Sequence, residues 1–256
     1  MRMRRWMTGT AGLALVALTL PVGSAWAQAA ATAEELKAGK TIYVRGCASC
    51  HGDQGKGDGI AAPLLDPRPR DFTRGLFKFR TTASGKVPTL DDLARTLTHG
   101  LTGTAMGQWQ ELSAKDRRAV LLYVQTFSDR FKTQTAVPIT IPPEPPLTMD
   151  SVKRGQKWYT EIECNKCHGP EGRGDGPSAA ELTDDWDKRP IRPNDLTQGH
   201  RFKRGATPKD IYLTLYTGLS GTPMPSVAET LPSPQDEWAL VHYVYWLSQG
   251  KPRALK

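Results

Sequence analysis

Two stretches of the chain share the pattern Cys-x-x-Cys-His, at residues 47–51 and 164–168. Two thiols three residues apart are spaced to form thioether bonds with the vinyl groups of one porphyrin, and the following imidazole then lies under the iron. Both copies are complete and together use all four cysteines. The pattern predicts two covalently bound haem c groups. The predicted attachment residues are Cys47, Cys50, Cys164 and Cys167, and the predicted iron ligands are His51 and His168.

Other uses of paired cysteines fit the pattern less well. A zinc ribbon does not require a histidine after each cysteine pair. A thioredoxin-like redox pair needs a βαβ setting, which the sequence lacks. A disulfide across this short spacing would be strained. We therefore interpret both motifs as haem attachment sites.

The first 27 residues have the composition of a secretory signal peptide. Three arginines lie among the first five residues, an apolar stretch covers residues 9–22, and residues 25–27 (Ala-Trp-Ala) fit a cleavage site. The alternative is an uncleaved membrane anchor, but the apolar stretch is short for a span. We predict export through a cleaved signal peptide, and a soluble, periplasmic mature chain.

The chain is basic, with a formal net charge of +8. A basic chain raises nucleic acid as a partner. However, neither a basic helix nor an aromatic RNA-binding motif accompanies the charge, and an exported protein does not meet nucleic acid. We predict no nucleic-acid partner.

The second half of the chain repeats the first. A Gly-rich loop follows each haem motif, at residues 52–59 and 169–176, and a Gly-rich segment ending in methionine recurs at residues 100–106 and 218–224. The repeat predicts two haem domains, over residues 28–137 and 149–256. Residues 138–148 between them are too rich in proline for a helix and predict an extended, semi-rigid linker.

Each copy has the sequence pattern of helices joined by long loops, so the predicted class is all-α. Ser, Thr or Asp before an apolar helical stripe indicates a helix start. Gly39 and Gly155 fall inside the first helix of each copy and predict points where another helix crosses closely. Gly100 and Gly218 end the middle helices. The predicted helix starts are Thr32, Thr89 and Ser113 in the first copy and Asp150, Thr207 and Ser233 in the second.

A single methionine recurs at the same distance after each haem histidine, Met106 in the first copy and Met224 in the second. Because both lie on Gly-rich loops in repeated positions, we predict them to be the second axial ligands of the irons. A thioether ligand raises the reduction potential and fills the sixth position of the iron. The alternative is a packed hydrophobic methionine.

The other polar candidates are weaker. His99 lies near Met106 and is the reserve ligand, whereas His200 and His242 are predicted to be surface or hydrogen-bonding residues. Arg80 and Arg204 align between the copies, and the guanidinium fork suits a carboxylate. We predict that these two arginines pair with haem propionates. The other basic residues nearby are predicted to form a solvated face: Arg74, Lys78, Arg201 and Lys203.

With these motifs and this helix order, each half resembles a class I cytochrome c domain, and the whole resembles a dihaem cytochrome c of the periplasmic electron-carrier type. The resemblance covers nearly all of the mature chain. It implies one-electron transfer through exposed haem edges between a donor and an acceptor protein, among them a periplasmic or membrane oxidoreductase. It implies no bond chemistry on a small-molecule substrate.

Two alternatives stay open at this point. The layout also resembles dihaem peroxidases, in which one iron is open or switchable, and His99 in place of Met106 would provide such a site. Thiosulfate-oxidising dihaem cytochromes are similar too, but this chain has no spare cysteine for them. The second open alternative is that the chain is an electron-transfer subunit of a larger oxidoreductase complex.

Overall fold

The computed structural model of the chain describes residues 30–185 and 188–251, so the predicted signal peptide lies outside the described residues. Helices are the only regular elements of this part, apart from two isolated bridges that pair Thr82 with Pro138 and Thr183 with Pro190. The predicted all-α class is confirmed. The helices are α1 (Ala33–Gly46), α2 (Ala48–His51), α3 (Leu90–His99), α4 (Ala114–Gln125), α5 (Arg130–Thr133), α6 (Met149–Glu161), α7 (Cys164–His168), α8 (Pro208–Thr217) and α9 (Pro234–Ser248).

The six longer helices begin where short polar side chains cap their free amide groups, whereas α2, α5 and α7 have no such cap. Thr32 and Thr89 form capping boxes with Glu35 and Asp92 at the starts of α1 and α3. The predicted starts of α4, α8 and α9 at Ser113, Thr207 and Ser233 are confirmed too.

The predicted start of α6 at Asp150 is wrong by two residues. Thr148 is the N-cap, because its hydroxyl accepts the amide hydrogen of Ser151 at 3.1 Å while the Ser151 hydroxyl accepts that of Thr148 at 3.1 Å. This reciprocal pair satisfies two amide groups that a start at Asp150 would leave without a helical partner.

The first and last long helices of each repeat cross in close contact, α1 with α4 and α6 with α9. Glycine makes this contact possible. A Cβ atom on Gly39 would lie well under 3.0 Å from the carbonyl oxygen of Ala119, and one on Gly155 equally close to that of Ala239. The prediction that both glycines are crossing points is confirmed.

Each repeat has its own hydrophobic core. Tyr43 and Val120 are almost fully buried in the first, and Tyr159 and Leu240 in the second. The proline-rich segment at residues 138–148 contains no helix, and it packs against both repeats. Its Ile139 amide donates to the Thr81 carbonyl at 2.7 Å, and its Pro142 carbonyl accepts from the Trp238 indole at 3.1 Å.

None of the helices described over residues 30–185 and 188–251 has the length and apolar character that crossing a membrane requires.

Candidate haem sites

Each Cys-x-x-Cys-His motif lies on a short helix, α2 or α7, that a glycine ends. Gly52 and Gly169 both have a φ of 77°, in the left-handed region, and a Cβ on either would collide with an aspartate side chain six residues later, Asp58 or Asp175. The chain then folds back, and the amide of Gly59 donates to the Cys50 carbonyl at 3.2 Å. The Gly-rich loop therefore supports the motif helix itself, which explains why the same loop follows both motifs.

Each motif histidine is held in place through one of its own ring nitrogens. Nδ1 of His51 lies 3.1 Å from the Arg70 carbonyl oxygen, and Nδ1 of His168 lies 3.0 Å from that of Asn194. Since a carbonyl only accepts, Nδ1 carries the hydrogen and Nε2 keeps its lone pair for a metal. Burial lowers the pKa of both histidines, which also favours the neutral imidazole. In the first repeat, Phe72 stacks on the His51 ring at a centroid distance of 4.4 Å.

A cavity of about 470 Å³ opens in the first repeat. Its wall contains both thiols of the first motif, the imidazole of His51 and the thioether of Met106, together with apolar side chains from α3 and α4 such as Leu97 and Val120. The volume lies in the range of cofactor pockets. The donor set and the apolar wall fit a haem c group attached through Cys47 and Cys50.

The loops that carry the two methionines have the same hydrogen bonds. The Met106 carbonyl accepts from the Leu101 amide at 2.9 Å, and its amide donates to the Thr104 hydroxyl at 3.1 Å. In the second repeat, Met224 makes the equivalent bonds with Leu219 at 3.2 Å and Thr222 at 3.3 Å. The loops are therefore built to hold their methionines in one defined place.

The second motif has the same scaffold. The Tyr159 hydroxyl donates to the Gly169 carbonyl at 2.7 Å, as the Tyr43 hydroxyl does to that of Gly52 at 2.7 Å. Cys164 and Met224 both pack against the second core. Each repeat thus brings its motif and its methionine to a separate core.

Comparison with known proteins agrees with this geometry. The family model of cytochrome c matches residues 36–128 and again residues 152–248. The chain belongs to the cytochrome c family. Haem electron transfer is therefore its chemistry, with covalently bound haem c as the cofactor that the family implies.

A solved structure is also similar. It is a chain of the "reducing HAO-like protein complex Kustc0457/Kustc0458" from Kuenenia stuttgartiensis, with 43% sequence identity and a TM-score of 0.79. The match covers 83% of this cytochrome and 96% of that chain. No curated protein sequence matches.

The remaining histidines of the cytochrome lie outside the first cavity. His99 and His200 are exposed, and neither belongs to the cavity wall. His242 is fully buried on α9, with Nδ1 2.8 Å from the Ser151 hydroxyl and Nε2 3.5 Å from a Glu144 carboxylate oxygen. Within the described ranges, no group of three or more His, Cys, Asp and Glu side chains is arranged to hold a metal ion by itself.

Arg80 and Arg204, the predicted propionate partners, lie between the two repeats rather than in the cavity wall. Arg80 is fully buried and donates to the carbonyls of Phe77 at 2.9 Å, Ala83 at 3.2 Å and Thr217 at 2.5 Å. Arg204 donates to the Arg80 carbonyl at 2.9 Å. The contacts with Thr217 and Arg204 join the repeats, and the propionate role stays a prediction that none of these hydrogen bonds supports.

Other cations line the first cavity. They are Arg68, Arg70, Lys78 and Lys203. Lys78 and Lys203 were predicted to lie on a solvated face, and this prediction is wrong, because both are half-buried in the cavity wall. Lys203 belongs to the second repeat, so sequence order gives no sign that it approaches the first motif.

Proposed function

We propose that this cytochrome is an exported, periplasmic carrier that passes single electrons between protein partners through two haem c groups. His51 and Met106 are the proposed axial ligands of the first haem, and His168 and Met224 those of the second. One observation carries the proposal: the first cavity gathers two attachment thiols, an oriented imidazole and a loop-held thioether in a single wall. The four cysteines supply two such attachment sites.

When bound, haem c supplies a one-electron Fe(III)/Fe(II) couple. The residues of the chain adapt this couple to transfer rather than catalysis. The Met106 thioether would hold the iron opposite His51 and keep small ligands away from it, and the apolar wall would limit water there. The carbonyl bonded to His51 Nδ1 holds the ring at a constant angle. A site that barely rearranges between two oxidation states is suited to repeated electron transfer.

Electron transfer within a larger complex is a second candidate. It is favoured by the similarity to a chain of a reducing HAO-like protein complex, because 96% of that chain is matched. Under this proposal an oxidoreductase holds the cytochrome permanently, and the chemistry at the haems is the same. The two candidates differ in native mass. In a size-exclusion run of material purified from the source cells, followed by haem absorbance, a free carrier elutes alone and a subunit elutes with a larger partner.

The peroxidase-like alternative requires an open or switchable iron. His99, the side chain that would replace Met106, is exposed and lies outside the cavity wall. This location argues for a carrier.

The decisive experiment is the visible spectrum of the holoprotein, oxidised, reduced and with carbon monoxide, compared between Met106→Leu and Met149→Leu. Met149 begins α6 and is part of no Gly-rich loop, which makes it the matched control. The parent protein is expected to show a far-red sulfur-to-iron band for two haems and no carbon monoxide binding. Met106→Leu should lose half of the band and bind carbon monoxide at one haem, whereas Met149→Leu should do neither. An undiminished band in Met106→Leu would refute the ligand assignment.

A further inference from the structure

Positive charge is concentrated at the first cavity. Arg68, Arg70 and Lys78 of the first repeat line it together with Lys203 of the second, while Glu111 is the one acidic side chain among its lining residues. Buried like charges are costly unless an anion compensates for them. The composition of the wall therefore fits a ligand that carries carboxylates.

The electrostatics of the individual groups agree. The pKa of Lys78 is lowered to about 8, chiefly by burial and also by the charges of Arg70 and Lys203, while Asp184 opposes the shift. Burial also lowers the pKa of Lys203, against the effect of Asp66. These are the signs of cations held close together in a partly dry space.

One of these cations also lacks a partner. The Nε of Arg68 is buried without a hydrogen-bond acceptor among the described residues. A buried guanidinium donor normally finds an acceptor. A carboxylate in the cavity would provide one.

The docking of the two repeats brings Lys203 to this wall. Its neighbour Arg204 donates to the Arg80 carbonyl at 2.9 Å, and the Arg204 carbonyl accepts from Arg95 at 2.6 Å. Arg95 also pairs with Asp210 at 2.9 Å. The main chain on the C-terminal side of Lys203 is thus fixed against the first repeat.

We propose that Lys203 of the second domain pairs with a propionate of the haem in the first domain, and so helps to set the reduction potential of that haem. The proposal rests on the proposed function, since it requires haem in the first cavity. A nearby positive charge disfavours the oxidised, more positive iron, so Lys203 raises the potential. The first repeat offers no equivalent lysine, because the residue aligned with Lys203 is Phe79.

The test is a potentiometric titration of the holoprotein with Lys203→Met, Lys203→Arg and the control Lys153→Met. Lys153 is an exposed lysine on α6 of the same domain, so its replacement removes the same charge far from the cavity wall. Haem-methyl NMR signals report the oxidised fraction of each haem separately. The first haem is identified by its proximity to Trp109, which lines the cavity.

In Lys203→Met, the reduction equilibrium constant of the first haem is expected to fall about fourfold. This is the effect of one unit charge about 10 Å away at an effective dielectric constant of about 40. The second haem should be unaffected, Lys203→Arg should retain the parent potential, and Lys153→Met should change neither haem.

An unchanged first haem in Lys203→Met, an equal shift of both haems, or a failure of arginine to retain the potential would each overturn the proposal. The proposed function fails differently. In that case the parent protein itself would lack two covalently bound, reversibly reducible haems, and this is measured before any variant is compared.

Discussion

Replacing Gly155 by alanine tests whether the crossing of α6 and α9 supports the second haem site. The added methyl group would lie well under 3.0 Å from the Ala239 carbonyl oxygen and also reach the Tyr243 side chain. The obstacle is the main chain of another helix, so the two helices must move apart rather than a side chain rotate.

The expected cost follows from two opposing effects. Overpacking a well-packed contact costs about 1–3 kcal/mol, and an obstacle in the backbone puts this case at the upper end. The better helix propensity of alanine returns about 1 kcal/mol. The net loss of unfolding free energy is therefore about 2 kcal/mol, or about 10 °C in Tm for a domain of this size.

The assay is thermal unfolding of the holoprotein, followed by far-UV circular dichroism and by haem absorbance. Gln156→Ala is the matched control, because Gln156 is the next residue on the same helix and is exposed. It should change the unfolding free energy by less than about 0.5 kcal/mol. A Gly155→Ala protein as stable as the parent would refute the close-crossing argument.

Three further predictions concern buried polar groups. Burial lowers the pKa of His242 below its ordinary value of 6.5, so below that pH the unfolded chain takes up a proton that the folded chain resists. In thermal unfolding measured across a pH series, the parent should therefore lose stability between about pH 7.5 and 5.5. His242→Gln should lose less stability over this range, whereas the exposed control His200→Gln should match the parent. Arg80→Met leaves buried carbonyls without a donor and should lower the free energy of unfolding in urea by about 3 kcal/mol. The exposed control Arg45→Met should change it by almost nothing. Equal losses in the two variants would contradict the interface role. Tyr159→Phe removes one hydrogen bond and should lower the free energy of unfolding by about 1 kcal/mol. An unchanged denaturation midpoint would contradict this prediction.

Much of the candidate site was predictable because its signals are local in the sequence. Two thiols and an imidazole within five residues define an attachment motif without any knowledge of the fold. The duplication then singled out Met106 and Met224, since a loop residue that recurs with its glycines is under the same geometric constraint in both copies. Helix starts followed from capping side chains, and the error at Asp150 arose because Thr148 and Ser151 form the less usual pair.

The arginines show where alignment of the copies misleads. Arg80 and Arg204 recur at equivalent positions, which suggested equivalent haem contacts, but they meet between the repeats and bond to main-chain carbonyls. A residue that recurs in both copies occupies an equivalent place in both domains. For these two arginines, that place faces the other domain rather than the cavity.

The sequence by itself indicated the chemistry of this cytochrome: the predicted attachment cysteines, the motif histidines, the candidate methionine ligands and the all-α class were all read from sequence patterns, whereas the carbonyls that orient the histidines were seen only in the structure. Only the tertiary structure decided which charges surround the first cavity. Lys203 lies more than a hundred residues from the first motif, and its place in the wall depends on how two folded domains dock. Docking is set by complementary surfaces and buried hydrogen bonds across the interface, which no local spacing or periodicity encodes.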